Sequence, residues 1–268
     1  RDLVTGNAYG CGTGAVRCVY MNTGVLEGFT LAGGASSVSV NDADFFAVRG
    51  GGLYAEALQE VWDCIVSNNV ASRGSAAWGG MLRRCRIANN RTTNSGNGVI
   101  RTATVYDSLI VNNTAAWAFL FSGARAVNCT IVGNSGGGVS DQATAYNSIV
   151  FGNGGAQLNG GAGVTNCCSS MAFPGTGNIV GDPRFVDAAS GDYRLRADSP
   201  CVNTGSLAYV THLSGTDYAG APRVQGGFVN LGALESVISS ITASSTSGGT
   251  ISPAGAFLAS GDISFTAT

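Results

Sequence analysis

The feature that most constrains the fold is a repeat of about twenty residues in the middle of the chain. A six-residue pattern begins with Cys or Ser, continues through mostly apolar residues and ends in Asn. Its first positions lie 21, 23, 21, 19 and 19 residues apart, at Cys64, Cys85, Ser108, Cys129, Ser148 and Cys167. A unit this short cannot bury a core alone, so each unit must stack on its neighbours.

The repeat predicts an all-β fold, a right-handed single-stranded parallel β-helix (solenoid) of about seven coils with a C-terminal β-rich cap. Short β-rich segments alternate with Asn and Gly, without a helical period. Equivalent side chains of successive coils then lie about 4.8 Å apart. An earlier copy, Phe29–Gly34, precedes Cys64 by 35 residues, which indicates one long irregular coil or an inserted loop around residues 36–46.

Stacking predicts three internal columns, because side chains alternate in and out along a strand. The Cys and Ser positions form a column of small buried side chains. The residues two places further on form an apolar column: Val66, Ile87, Ile110, Ile131 and Val150. The last residue of each pattern forms an asparagine ladder at a corner, where Asn tolerates left-handed backbone and bonds to the next coil. The ladder residues are Asn69, Asn90, Asn113, Asn134 and Asn153.

The chain has eight cysteines, and their spacing does not favour a metal site, because no Cys-x-x-Cys pair occurs. The repeat cysteines are therefore predicted to act as small buried hydrophobes. Cys168 points the opposite way from Cys167 and is a candidate for a disulfide with Cys201. An exported protein would permit that bond.

The charge distribution limits the classes of partner. Charged residues make up only 11% of the chain, against about 25% in typical soluble domains. The net charge of −2 argues against a general nucleic-acid binder. Residues 49–125 nevertheless hold eight arginines against four acids, a local net charge of +4. No apolar run is long enough to span a membrane.

The C-terminal third carries four motifs: Gly-Asn-Ile-Val-Gly-Asp-Pro-Arg-Phe-Val-Asp (177–187), Asp-Tyr-Arg-Leu (192–195), Ser-Pro-Cys-Val-Asn-Thr-Gly (199–205) and Leu-Gly-Ala-Leu-Glu (231–235). They resemble the C-terminal block of the bacterial choice-of-anchor Q family of right-handed parallel β-helix proteins. The repeats also resemble those of polymorphic outer-membrane proteins. The resemblance covers roughly residues 15–236 and implies a secreted or surface-anchored protein, without implying an activity. Val202-Asn203, Asn230-Leu231 and Leu234 depart from the family's Ile-Asp, Asp-Ile and Tyr, which weakens any metal role for the lost acids.

These patterns divide the chain into three parts. Residues 1–176 are predicted to form the coils. Residues 177–236 form a capping segment, in which Asp217–Glu235 covers the open end of the helix and its sheet edge. Residues 237–268 resemble the opening strands of a bacterial immunoglobulin-like repeat, or act as a linker.

β-Helix scaffolds host polysaccharide lyases that pair an Arg or Lys base with Asp-bound calcium, so an enzyme must be considered, although fold is not function. The candidates are Arg84 or Arg101, near Asp63 and Asp107. Asp63, Arg84 and Asp107 share one outward column, and a solvated ladder of opposite charges is favoured over catalysis as its explanation.

Two further groups of residues are candidates for ligand binding. Asp182, Asp187 and Asp192 lie five apart and are calcium candidates, with turn formation the favoured interpretation. Trp62, Trp78 and Trp117, with Tyr54 and Tyr106, are candidates for a sugar-binding face, since aromatic rings pack on sugars. Packing at coil corners is the simpler role for them.

The sequence therefore predicts an exported bacterial β-helix, secreted or at the cell surface, that acts as a structural or adhesive module and binds glycans. The alternative is a carbohydrate-active lyase acting on acidic polysaccharide. No recognisable catalytic acid cluster occurs, so a non-enzymatic role is favoured. Calcium is left open as a cofactor, and the expected partners are polysaccharides or host glycans and other domains of the same longer chain.

Overall fold

The computed structural model describes residues 15–36, 48–56, 59–93, 98–115, 118–121, 123–139, 142–155, 163–210, 215–236, 239–245, 247–259, 264 and 266–267. Within them the chain forms an all-β solenoid of parallel sheets with almost no helix. The predicted class of fold is therefore confirmed.

Three parallel sheets run the length of the solenoid. Sheet 1 contains Val19–Met21, Leu53–Ala55, Ala77–Trp78, Ile100–Arg101, Ala118–Phe121 and Gly137–Val139. Sheet 2 contains Val25–Glu27, Glu60–Trp62, Met81–Arg83, Thr104–Tyr106, Arg125–Val127, Thr144–Tyr146 and Gly163–Thr165. Sheet 3 contains Thr30–Ala32, Ile65–Ser67, Arg86–Ala88, Leu109–Val111, Thr130–Val132, Ile149–Phe151, Cys168–Ser169 and Ile179–Val180.

Each turn of the chain visits sheets 1, 2 and 3 in order, and the described residues form a solenoid of about five turns. Thr30–Ala32 pairs directly with Ile65–Ser67. The 35-residue gap in the repeat is therefore one long turn, of which residues 37–47 and 57–58 lie outside the described part. A short parallel pair, Val70–Ala71 with Arg91–Thr92, extends two of the coils.

The interior contains the two predicted columns of small and apolar side chains. Val66, Ile87 and Ile110 are aligned in register and fully buried, as are Ile131 and Val150. The Cys and Ser positions that precede sheet 3 are buried in the same core. Both columns were predicted from the repeat and are confirmed.

The thiols and hydroxyls of the first column also satisfy backbone groups. The Cys85 N–H donates to Ser108 Oγ at 2.9 Å, and the Cys85 thiol donates to the Val61 carbonyl at 3.5 Å. Burial raises the pKa of the Cys85, Cys129 and Cys167 thiols to about 12. These groups are neutral at physiological pH, so they pack and donate hydrogen bonds rather than act as thiolate ligands.

The asparagine ladder is confirmed, with one correction to its backbone. The Asn69 N–H and Nδ2 both donate to Asn90 Oδ1, at 3.1 and 2.9 Å, and Asn90 Nδ2 donates to the Val66 carbonyl at 2.8 Å. The left-handed backbone, however, lies one residue earlier, where φ is +55° at Asn68 and +69° at Gly133. That residue turns the chain outward, which leaves the ladder Asn free to point into the corner.

The C-terminal segment packs beside the solenoid, and we call its described residues, 182–210 and 215–235, the strap. The strap contains an antiparallel pair, Phe185–Asp187 with Asp192–Leu195, and two 3₁₀ turns, Ala188–Ser190 and Leu207–Tyr209. Its apolar residues cover the outer face of sheet 3, where Leu234 and Tyr193 cluster with Leu109 and Val111. The sequence had predicted that Asp217–Glu235 covers the open end of the solenoid. The described contacts of this segment, with Asp107, Thr130 and Asn147, run instead along the side, because sheet 3 is apolar on both faces.

The remaining described strands belong to the tail. Ser239–Ala243 pairs antiparallel with Gly255–Ala259, and Ile251–Ser252 pairs antiparallel with Thr266–Ala267. The likeness to an immunoglobulin-like repeat stays a prediction. Within the described residues, no helix has the length and apolar character needed to cross a membrane.

Candidate functional site: an arginine–aromatic face

The outer faces of sheets 1 and 2 carry large aromatic and arginine side chains in register. In sheet 1, Tyr20 aligns with Tyr54, Tyr54 with Trp78, and Trp78 with Arg101. Parallel pairing without register shifts stacks these outward positions into one column along the axis. The column exists because each coil places the same strand position outward.

Guanidinium groups lie over the rings of sheet 1. Arg49 Cζ is 3.9 Å from the Trp78 ring centroid, and Arg101 Cζ is 5.1 Å from it. Arg17 Cζ lies 5.0 Å from the ring of Tyr54, which stacks on Tyr20 at 5.6 Å and 14°. These distances are those of cation–π contacts.

Sheet 2 repeats the arrangement one sheet further round the solenoid. Trp62, Arg83 and Tyr106 are aligned in register, and Arg83 Cζ lies 5.1 Å from the Trp62 ring and 4.5 Å from the Tyr106 ring. Further along, Arg125 Cζ lies 4.9 Å from the Tyr146 ring. We call these residues of sheets 1 and 2 the arginine–aromatic face: Arg17, Tyr20, Arg49, Tyr54, Trp62, Trp78, Arg83, Arg101, Tyr106, Arg125 and Tyr146.

The arginine–aromatic face contains both buried side chains, which pack beneath its surface, and side chains that are exposed to solvent. Arg49 and Arg83 are only 7% and 8% exposed, and Arg83 lies 4.0 Å from Glu60. Arg125 is exposed, and Tyr20 is 51% exposed. A hydrogen bond to Glu56 raises the pKa of the Tyr20 hydroxyl. The face is therefore a packed layer that presents ring surfaces and guanidinium edges outward.

The residues predicted for lyase chemistry are only partly brought together. Asp63, Arg84 and Asp107 occupy the same left-handed corner position between sheets 2 and 3, so they do share one column. Arg84 binds Asp63 through two hydrogen bonds, Nε to Oδ1 at 2.8 Å and Nη2 to Oδ2 at 2.6 Å. This hydrogen bonding raises the pKa of the Arg84 guanidinium. Arg101 lies instead on sheet 1, over Trp78.

Asp107 is the part of this prediction that was wrong, because it does not belong to a solvated ladder. It is 1% exposed, and the strap brings the fully buried Arg223 against it, with Nη2 2.8 Å from Asp107 Oδ1. Burial raises the pKa of the Asp107 carboxyl, and Arg223 opposes that rise. Asp107 therefore anchors the strap and is not offered to a ligand.

Arg223 connects Asp107 to the end of the strap. Arg223 Nη1 donates to Glu235 Oε1 at 2.7 Å and to the Gly232 carbonyl at 3.0 Å. Burial raises the pKa of Glu235 to about 7, against the opposing charge of Arg223. Asp217 Oδ2 accepts the Glu235 backbone N–H at 2.7 Å. This buried network fixes the strap to the solenoid.

The three calcium candidates have separate local roles. Asp182 Oδ1 accepts the Arg184 N–H, and Asp187 Oδ1 accepts the Ser190 N–H. Asp192 pairs with the Arg194 side chain. Among the described residues, no group of three or more His, Cys, Asp or Glu is arranged to hold a metal ion. Turn and hairpin formation, the favoured interpretation, accounts for all three.

Cys168 and Cys201 lie together beneath the strap, in a cluster with Leu195 and Leu231. Both are free thiols in the structure, and the candidate disulfide is not formed. The neighbouring Cys168 thiol, as a hydrogen-bond partner, and burial raise the pKa of Cys201. Trp117, predicted for the sugar-binding face, lies outside the described residues.

Sequence reasoning missed several members of the site. Arg49, Arg83 and Arg125 were counted only as part of a local charge. Their spacing relative to Trp78, Trp62 and Tyr146 carries the signal once the coils are aligned, because each pair then shares one face of a sheet. Arg223 gave no comparable signal, since it lies outside the repeat.

The fold and the face together define a parallel β-solenoid with a cationic, aromatic outer surface and a strapped third sheet. Comparison with known protein families finds no match for this chain, and comparison with curated proteins finds no related sequence.

Proposed function

We propose that this protein is an exported structural and adhesive module that binds acidic polysaccharide along its arginine–aromatic face. The observation that carries the proposal is the stacking of arginine side chains on outward rings in both sheets, with Arg49 3.9 Å from Trp78 as its closest contact. Planar guanidinium groups bind carboxylate and sulfate oxygens through paired hydrogen bonds, and aromatic rings pack on sugar rings.

The arrangement suits a linear polymer. Strands of one sheet are about 4.8 Å apart, so the cationic positions recur along the solenoid axis. Residues 49–125 have a local net charge of +4 within a chain whose overall net charge is −2. That asymmetry concentrates positive potential on the coils carrying the face, which would attract a polyanion.

We further propose that the solenoid is right-handed and has about seven coils, and that the chain belongs to the choice-of-anchor Q family. Right-handed crossovers between parallel strands are the general rule, which supports the handedness. Sheet 2 contains seven described strands, which supports the number of coils. Export to the bacterial surface follows from the resemblance. In that oxidising setting the neighbouring Cys168 and Cys201 thiols would be able to form a disulfide.

The test is a calorimetric titration with polygalacturonate, alginate and chondroitin sulfate, using neutral dextran as the uncharged comparison. The Arg101→Gln and Arg125→Gln variants should each bind the polyanion at least about threefold more weakly, roughly 0.6 kcal/mol. Arg194→Gln removes the same charge from the strap, outside the face, and should leave binding unchanged.

Salt dependence and turnover complete the test. Polyanion binding should weaken as salt is raised, because exposed charge contacts are screened. No binding to any of the polyanions, or equal losses in all three variants, would refute the proposal. New absorbance of an unsaturated uronate during the titration would instead indicate the lyase alternative.

A further inference from the structure

A cavity of about 550 Å³ lies between the strap and the outer face of sheet 3, away from the arginine–aromatic face. This volume falls within the range of roughly 300–1,000 Å³ that is usual for small-molecule sites. Its lining combines an apolar floor with a charged rim, and the residues are Val132, Phe151, Gly152, Asp182, Arg184, Phe185, Ala188, Arg196 and Asp198.

The floor is built by two elements that hold each other in place. Val132 and Phe151 are register partners on neighbouring strands of sheet 3, and their side chains point outward. Phe185 comes from the strap and packs edge-on against Tyr193, with ring centroids 5.4 Å apart at 82°. Two aromatic rings and a valine therefore meet at the base of the cavity.

The rim is an exposed chain of charged groups. Asp198 Oδ2 accepts from Arg184 Nη1 at 3.1 Å, and Arg196 Nε lies 3.3 Å from Asp198 Oδ1. Asp182 adds a second carboxylate, held by the Arg184 backbone N–H at 2.7 Å. The Arg184 and Asp198 side chains are 52% and 55% exposed, so their remaining hydrogen-bonding positions stay accessible.

We propose that this cavity binds a neutral pyranose sugar. A pyranose has an apolar ring face, which suits the phenylalanine floor, and an edge of hydroxyl groups, which suits neighbouring carboxylate acceptors and guanidinium donors. Two arginines and two aspartates balance in charge, so the rim favours neither an anion nor a cation. The site does not depend on polyanion binding by the arginine–aromatic face.

The experiment is a saturation-transfer NMR titration of the protein with the methyl pyranosides of glucose, galactose and mannose. At least one should bind saturably, with a millimolar dissociation constant. Phe151→Leu keeps an apolar floor without the ring, and Asp198→Asn weakens the rim. Each should reduce affinity about tenfold.

Asp192→Asn is the matched control, because Asp192 pairs with Arg194 and does not line the cavity. Its affinity should equal that of the original protein. Phe185→Leu replaces Phe151→Leu if the latter fails to fold. Absence of saturable binding by all three sugars, or unchanged affinity in the floor and rim variants, would overturn the proposal. The floor and rim variants should bind polygalacturonate with the same affinity as the original protein. That result would distinguish the sugar site from the arginine–aromatic face.

Discussion

The outer face of sheet 3 and the outer faces of sheets 1 and 2 rest on the same coils but differ in what covers them. Sheet 3 presents Leu109, Val111 and Ile149 outward, and the strap buries all three. Sheets 1 and 2 present arginine and aromatic side chains that pack mainly on one another, and the strap reaches this face at Tyr146, on which Tyr209 stacks with ring centroids 4.5 Å apart. The solenoid interior thus sets where side chains point, while the outward residue type decides whether a face is closed by the chain itself or left for a ligand.

The largest expected effect comes from breaking the closure of sheet 3. Replacing Arg223 with Met leaves Asp107 and Glu235 buried without their counter-charge, which should cost about 3–5 kcal/mol in the free energy of unfolding. Urea unfolding measures the loss. Arg194→Met removes an exposed ion pair and should cost less than about 1 kcal/mol. A loss from Arg223→Met as small as that of the control would show that the network does not hold the strap.

The buried network that fixes the strap over sheet 3 should also make the free energy of unfolding depend on pH. The pKa of Glu235 is raised from 4.5 to about 7 in the folded protein, so the folded state holds this proton more tightly than the unfolded chain. The resulting stabilisation is fully present below pH 4.5 and is lost as pH rises through 7. The shift corresponds to about 3 kcal/mol. Unfolding of Glu235→Gln at pH 5 and pH 8 should lack this difference, and an unchanged slope would contradict the assignment.

The next largest loss of stability is expected from substitutions in the asparagine ladder, which lies in the coils beneath both the strapped sheet 3 and the arginine–aromatic face. Asn113→Leu leaves the Asn90 N–H and the Ile87 carbonyl without their ladder partner, at a cost of about 2–3 kcal/mol. Asn112→Gly changes the exposed neighbour in its left-handed position, where glycine is unstrained, and should change stability by a few tenths of a kcal/mol at most. Thermal unfolding compares the two, and equal effects would contradict the ladder's role.

The smallest effect is expected in the column of thiols and hydroxyls. Cys129→Ser keeps a small hydrogen-bonding group, as Ser108 and Ser148 show on the adjoining coils. We expect a change in the free energy of unfolding within about 1 kcal/mol. Cys129→Leu would overpack the same place and should cost more, about 1–3 kcal/mol. Equal tolerance of both substitutions would mean that the column is not closely packed.

The solenoid could be predicted because the spacing of the Cys, Ser and Asn positions in the sequence gives the length of each coil. One detail was misread there: Asn68 and Asn69 look equivalent, but Gly133 and Gly152 mark the earlier position as the left-handed one. The strap could not be placed, because the contact between Asp107 and Arg223 joins residues far apart without a repeat. Its signal was the run Leu109-Ile110-Val111, which is apolar on both faces of the strand.

Hydroxyl-radical footprinting with saturating polygalacturonate tests the contrast between the faces most directly. The account predicts protection of Tyr20, Trp62 and Trp78 on the arginine–aromatic face. Exposed residues of the strap, such as Leu207 and Phe228, should react as they do without polymer. Protection confined to the strap, or no protection of the three aromatic residues at saturation, would contradict it.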